Sequence, residues 1–203
     1  MTIKIVDFLS ADERARVIEY AMCRPWSKDS WGRFTCDFPV WDVQNLDWLY
    51  EKSANAASAA FGADGIIPTY YKFCKYSPRY GIPRVPPHID ENACTYTVDI
   101  QLDSNIDWSI YIDFDEYLLK DGDAVLYMGE DQLHWRPKFP TDDESDSISM
   151  LFMHYAHQNH WFFEYGQDFM RNPELHNIWV QRMQTLLASN KHKTMTEIDD
   201  GIL

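Results

Sequence analysis

Apolar and polar positions alternate over residues 3–8, which predicts a strand, and the period then changes. Ser10-Ala11-Asp12-Glu13 has the spacing of a capping box, in which the Ser10 hydroxyl and the Glu13 carboxylate satisfy free amides at a helix start. That helix should run to about Cys23, stop before Pro25 and carry Ala15, Ile18 and Met22 on its apolar side. Residues 26–41 are rich in Trp, Asp and Ser without a sustained period and read as irregular chain or short strands, able to overhang a pocket. Asn45 or Asp47 should cap a second helix through the alanine-rich residues 54–60 to Phe61, with Gly62 ending it in a left-handed conformation.

From residue 69 the pattern turns to β. Residues 69–76 are aromatic and strand-favouring, whereas 77–87 hold Pro78, Gly81, Pro83, Pro86 and Pro87, a loop unsuited to regular pairing that delivers His88. Strands are predicted over 93–102, 108–114, 124–128 after an Asp121-Gly122-Asp123 turn, and 147–155, with an acid-rich loop over 137–146. Residues 162–169 are aromatic without a clear period; 173–188 look helical, with Ile178, Met183 and Leu186 on one side, and 189–203 look like a loosely held tail. Helices followed by many short strands argue for an α+β, mainly β chain: an antiparallel double-sheet jelly roll, or double-stranded β-helix, with the helices packed outside one sheet. Residues 1–68 would supply the first strand and two helices, 69–160 the jelly-roll core, and 161–203 a helical extension and tail, all in a single domain.

At 203 residues, 45% hydrophobic and 15% aromatic, the chain can bury a sizeable core. The tryptophans Trp26, Trp31, Trp41, Trp108, Trp135 and Trp161 are core by default, with one or two available to line the mouth. A formal charge of -14 repels nucleic-acid phosphates and anionic membranes, and the one basic cluster, Lys191-His192-Lys193, reads as solvated tail. Neither nucleic acid nor membrane is an expected partner. Cys23, Cys36, Cys74 and Cys94 are scattered, as suits reduced structural thiols. The N-terminal apolar run is too short for a signal peptide and no window approaches a membrane span, so a cytoplasmic location is expected.

The candidate chemistry lies in His88-Ile89-Asp90 and His134-Trp135-Arg136. In a strand, residues i and i+2 share a face, so His88 and Asp90 would present an imidazole and a carboxylate side by side. His134, on a strand folded back over the first, would complete a two-His-one-carboxylate triad that leaves open positions on Fe(II). A His-x-Asp triplet arises about once by chance in a chain of this make-up, and a surface turn accounts for one equally well. His154, His157 and His160 have a zinc-like look, but their spacing alternates faces in a strand and should not converge.

Taken in order, Tyr76-Ser77-Pro78-Arg79-Tyr80-Gly81, Pro87-His88-Ile89-Asp90, the strand that follows, Gly122-Asp123-Ala124-Val125 and His134-Trp135-Arg136 resemble the 2-oxoglutarate/Fe(II)-dependent dioxygenases of the prolyl-hydroxylase-like group. The opening strand, capping box and helix look like that family's lead-in. The resemblance implies iron on His88, Asp90 and His134, 2-oxoglutarate and O2 as co-substrates, and release of succinate and carbon dioxide as a small-molecule or peptide substrate is hydroxylated. An acid at position 90 favours oxidation over halogenation, because related halogenases carry a small residue there.

The family places a basic residue on the strand after the distal His to hold the far carboxylate of 2-oxoglutarate, where this chain has only Ser147-Ile148-Ser149-Met150-Leu151-Phe152. Arg136, two residues beyond His134, is the nearest base, and its planar fork suits a carboxylate. A surface arginine paired with the acids at 142–144 is the alternative reading. Tyr76, Gln101 and Ser149 are candidate hydrogen-bonding partners, and Lys72 and Lys75 are fallback anchors. Two other classes fit the same pattern: a cupin-like metalloenzyme that does not use 2-oxoglutarate, and a non-catalytic jelly-roll binding module.

Overall fold

A short β1 (Ile3–Ile5) and helix α1 (Ala11–Met22) open the chain, followed by β2 (Ser27–Lys28), β3 (Phe34–Phe38) and helix α2 (Val43–Phe61). The remaining strands are β4 (Ile66–Tyr76), β5 (Val85–His88), β6 (Tyr96–Ser104), β7 (Ile110–Ile112), β8 (Asp115–Tyr117), β9 (Ala124–Tyr127), β10 (His134–Arg136) and β11 (Ile148–His157). This computed structural model describes residues 1–29, 33–38, 43–91 and 93–160, residue 163, and isolated positions from 174 to 188. The strands form two antiparallel sheets, one of seven in the order β1-β9-β6-β11-β4-β3-β2 and one of four in the order β5-β10-β7-β8. They make the double-stranded β-helix that the element order implied.

Two cores flank the larger sheet. On β11, Leu151, Met153 and Tyr155 join Val17 and Leu49 beneath the helices, while Ile148 and Met150 join Trp108, Ile112 and Tyr127 between the sheets. Both faces are covered, so the strand reads as a continuous apolar run, as in sheets buried on two sides. Each such side chain stabilises the fold by about 1.5–3 kcal/mol relative to leaving it in water.

Local expectations fare unevenly. The capping box is present: Glu13 N donates to Ser10 Oγ at 3.2 Å and Ser10 N to Glu13 Oε2 at 2.8 Å. Lys52 Nζ, 2.9 Å from Glu13 Oε1, links α2 to this cap. The buried face of α1 is nevertheless Val17 and Ala21, with Ala15 exposed and Met22 71% exposed. Ile18 of the expected stripe packs against the same core, while Arg14 donates to Leu102 O at 2.6 Å and sits 3.4 Å from Asp121. In α2 the expected cap falls around a break at Leu46 (φ -129, ψ 16), and Gly62 adopts the expected left-handed φ of 60.

The proline-rich stretch corrects the expectation of an unpaired loop, because Val85–His88 pairs with β10. Pro86 and Pro87 are tolerated because β5 is the edge of its sheet and its register with β10 shifts at this point, so one missing N–H faces outward and the other falls at the irregularity. The predicted strand over 108–114 is instead a hairpin, β7 and β8 joined at Asp113 (φ 49) and Phe114 (φ 76). Two left-handed residues suit a two-residue turn, but neither is the glycine that would announce it. Thr185 Oγ1 donates to Gln181 O at 2.8 Å, one helical turn back, within the predicted C-terminal helix, whereas Ile178, Met183 and residues 189–203 lie outside the described residues. Among the described residues no helix is long and apolar enough to cross a membrane.

Candidate metal centre

The register of the four-stranded sheet brings the proposed ligands together. His134 is the direct antiparallel partner of His88, so the two side chains share a face, with ring centroids 4.2 Å apart. Just past the end of β5, Asp90 is fixed by its own N–H donating to Gly129 O at 2.9 Å. Its Oδ1 lies 3.6 Å from His88 Nε2 and 3.5 Å from His134 Nε2. The triad offers three ligand atoms within 4.8 Å of one another.

Backbone carbonyls set the tautomers. His88 Nδ1 donates to Pro86 O at 2.8 Å and His134 Nδ1 to Gln132 O at 2.9 Å. A carbonyl can only accept, so each Nδ1 carries its proton and each Nε2 lone pair points at the shared centre, the outer bonding that orients imidazoles for a metal. Gln132 is itself held: its Oε1 accepts Met128 N, and its Nε2 donates to Thr2 Oγ1 and to Asp113 Oδ2 at 2.8 Å. Burial lowers the pKa of His88, and the neighbouring His134 adds to the effect. Burial also opposes charge on His134, but the Asp90 carboxylate outweighs it and raises that pKa. The two imidazoles in turn hold Asp90 well below the carboxylate range despite its burial. Two imidazoles and one carboxylate with convergent donors fit a divalent iron-type ion and leave coordination positions open.

The three residues line a cavity of about 340 Å³ that also takes in Tyr76 and Arg136. Arg136 is 2% exposed, donates to Trp108 O and lies 5.0 Å from the centre of the Trp108 ring. Burial lowers its pKa while Tyr76 and Asp99 push the other way. Among the described residues no carboxylate reaches it at ion-pair distance, so the surface pairing with 142–144 gives way to a buried cation facing a cavity. Such a group is costly unless an anion joins it. Tyr76, its pKa pushed up to about 12 by burial, stays a protonated phenol able to donate.

The other two candidate partners lie elsewhere. Gln101 donates its amide to Asp121 at 3.3 Å and lines a separate hollow, and alternation along β11 puts Ser149 on the face of Leu151 and Met153. Lys72 lines the cavity and Lys75 does not. Of the three spaced histidines, His154 is buried at the cavity and shares a 3.1 Å hydrogen bond with Thr97, while His157 is exposed and His160 half-buried. Trp135 is packing, stacked on Tyr111 at 5.4 Å and edge-on to Phe114.

Arg33, Tyr70 and Asp99 line the cavity without having been singled out. Tyr70 has a legible signal, the i, i+2 parity with Lys72 on β4; Arg33 lies in the aperiodic stretch, and Asp99 in a strand whose inner face cannot be told from the sequence alone. Tyr127 donates to Asp99 Oδ2 at 3.2 Å, and burial pushes Asp99 up to about 7.

No family model and no curated protein matches the chain. Solved structures do match, at low identity. A 2OG-Fe(II) oxygenase family oxidoreductase from Burkholderia pseudomallei superposes with a TM-score of 0.61 at 11% identity, covering 78% of this chain and 86% of that one. The viral collagen prolyl hydroxylase of Paramecium bursaria Chlorella virus-1, in its 2OG complex, gives 0.58 at 14%, covering 76% and 94%. HygX from Streptomyces hygroscopicus, with nickel and 2-oxoglutarate bound, gives 0.61 at 8%, covering 78% and 83%. At these identities the likeness is one of fold.

Proposed function

We propose that this protein is an Fe(II)- and 2-oxoglutarate-dependent oxygenase, with iron on His88, Asp90 and His134 and the far carboxylate of 2-oxoglutarate on Arg136, supported by Tyr76. The observation that carries this reading is the convergence of His88 Nε2, His134 Nε2 and Asp90 Oδ1 in a cavity that also buries the Arg136 cation. Fold likeness to a structure described as of the 2OG-Fe(II) oxygenase family and to a viral collagen prolyl hydroxylase in its 2OG complex supports it.

When bound, iron and 2-oxoglutarate supply the oxidation of a substrate by O2, coupled to decarboxylation of the co-substrate to succinate and carbon dioxide. The chain provides the setting. Pro86 O and Gln132 O keep both imidazoles in the metal-ligand tautomer, and Asp90 contributes the single negative charge of the donor set. Arg136 offers a guanidinium fork already out of water, so binding a carboxylate there recovers part of the desolvation cost of that buried cation. Val85, Ile110 and Phe152 add apolar surface to the cavity lining.

Purified anaerobically and supplied with Fe(II), the protein should convert 2-oxoglutarate to succinate at least slowly, and His134→Ala should abolish the conversion. Equal turnover in that variant rejects the site. Calorimetry separates the cupin-like alternative: 2-oxoglutarate should bind only when a divalent metal is present. A folded protein that takes no divalent metal at micromolar concentration would be a binding module instead.

A further inference from the structure

The chain carries 18 Lys and Arg against 32 Asp and Glu, yet Arg33, Lys72 and Arg136 line one small cavity. Arg136 is assigned to the co-substrate under the reading above, on which this inference rests. It projects, with the metal ligands, from the four-stranded sheet and the turn beside it. The other two cations belong to the sheet opposite. Tyr70, Lys72 and Tyr76 share the inner face of β4, being register partners of His154, Phe152 and Ile148 on β11. Phe34 pairs with Lys75, so Arg33, one residue earlier, comes opposite Tyr76, whose phenol it contacts.

The acids around these cations do not cancel them equally. Asp29 holds Arg33 Nε at 2.5 Å. Among the described residues the carboxylate at ion-pair distance from Lys72 is that of Asp37, at 3.8 Å and 84% exposed, the kind of pair worth little in water, while Glu91 lies near enough to feel its charge. Glu91 and Asp99 also line the cavity, where Tyr70 engages the first and Tyr127 donates to the second at 3.2 Å, which occupies part of each carboxylate. Phe152, Ile110 and Val85 also line the cavity, apolar surface suited to a short carbon skeleton. A volume of about 340 Å³, shared with a co-substrate, lies at the small end of ligand cavities.

We propose that the primary substrate is a small molecule bearing a carboxylate, and that Lys72, seconded by Arg33, binds this group and so presents the adjoining carbon skeleton to the iron. Lys72 is a specificity-determining residue in this assignment, and the anion it takes is distinct from the carboxylate on Arg136.

The test uses acetate as the probe, acetamide as its neutral counterpart, and Mn(II) in place of iron, in protein saturated with 2-oxoglutarate and free of oxygen. Paramagnetic relaxation of the acetate methyl protons by the bound Mn(II) should exceed that of acetamide about tenfold, the worth of a charge-assisted hydrogen bond. Lys72→Gln should remove most of the excess and Lys72→Arg should retain it; if Lys72→Gln does not fold, Arg33→Lys, expected to reduce the excess severalfold, takes its place. Equal relaxation of acetate and acetamide overturns the proposal, as does an acetate signal unchanged in Lys72→Gln. Resonances of 2-oxoglutarate itself report the underlying site: if they relax and acetate does not, only the substrate assignment fails, and if neither relaxes, the metal site fails and this inference with it.

Discussion

Gly129 packs directly against Asp90: a Cβ added at residue 129 would lie 2.4 Å from Asp90 Oδ2, as well as 2.6 Å from Thr97 Oγ1 and 2.7 Å from Cys94 O. Thr97, bonded to His154, and the Cys94 carbonyl cannot give way, so residue 129 itself must shift, and with it the carbonyl that accepts from Asp90 N. Gly129→Ala should lower divalent-metal affinity about 10–100-fold, the range seen when groups that orient metal ligands are disturbed. Overpacking should also cost about 1–3 kcal/mol. A Mn(II) titration followed by electron paramagnetic resonance measures the first and a thermal melt the second.

Arg136 and Tyr76 should separate by magnitude. Arg136→Gln removes a charge-assisted fork and should raise the KM for 2-oxoglutarate at least tenfold, while Tyr76→Phe removes one neutral donor and should raise it only a few-fold. Arg136→Lys should recover little, because an ammonium lacks the planar fork. Steady-state assay of succinate formation over a range of 2-oxoglutarate concentrations gives all three values.

His154 makes the metal-free protein sensitive to acid. Burial pushes its pKa down to about 4 from an ordinary 6.5, so between those values the unfolded chain binds the proton that the folded one refuses. That contribution is fully present above pH 6.5 and is lost as pH falls toward 4, by up to about 3 kcal/mol. His134 has the opposite sign: its raised pKa gives stability present below 6.5 and lost as pH rises through the folded value. Urea midpoints measured across this range for the native chain and for His154→Gln isolate the first effect, which should vanish in the variant.

How much of this was legible in advance depended on whether parity alone decides a position. His88 and Arg136 followed from their places on paired strands, whereas Asp90 lies past the end of β5 and is placed by its bond to Gly129, so the two-residue repeat gave its proximity without its cause. Gln101 and Ser149 failed because their direction depends on register: β6 carries an extra residue, Leu102, opposite β11 between Ser149 and Met150, which no local pattern announces. The β7–β8 hairpin was hidden by a phenylalanine at φ 76, and Arg33 by an aperiodic stretch whose pairing to β4 is a long-range matter. The continuous apolar run of β11 marks burial without saying which residue meets which core.

Gly122 tests the turn that precedes β9. Its φ is 95, and a Cβ there would lie 2.4 Å from Leu9 O, while Leu9 N donates to Gly122 O at 2.9 Å, so the backbones cannot part without breaking that bond. Gly122→Ala combines a left-handed penalty with a backbone collision and should lower Tm by roughly 5–10 °C. Differential scanning calorimetry checks it; an unchanged Tm would mean that the turn relaxes freely.

β1 is three residues long, yet it is the outermost strand beside β9, whose four residues are all buried. Trimming those few residues would uncover the unpaired amides and carbonyls of an apolar strand, a ready template for a second molecule. The same cut removes Thr2, which Gln132 grips while presenting its carbonyl to His134. A chain lacking these residues should therefore clump and lose divalent-metal affinity together.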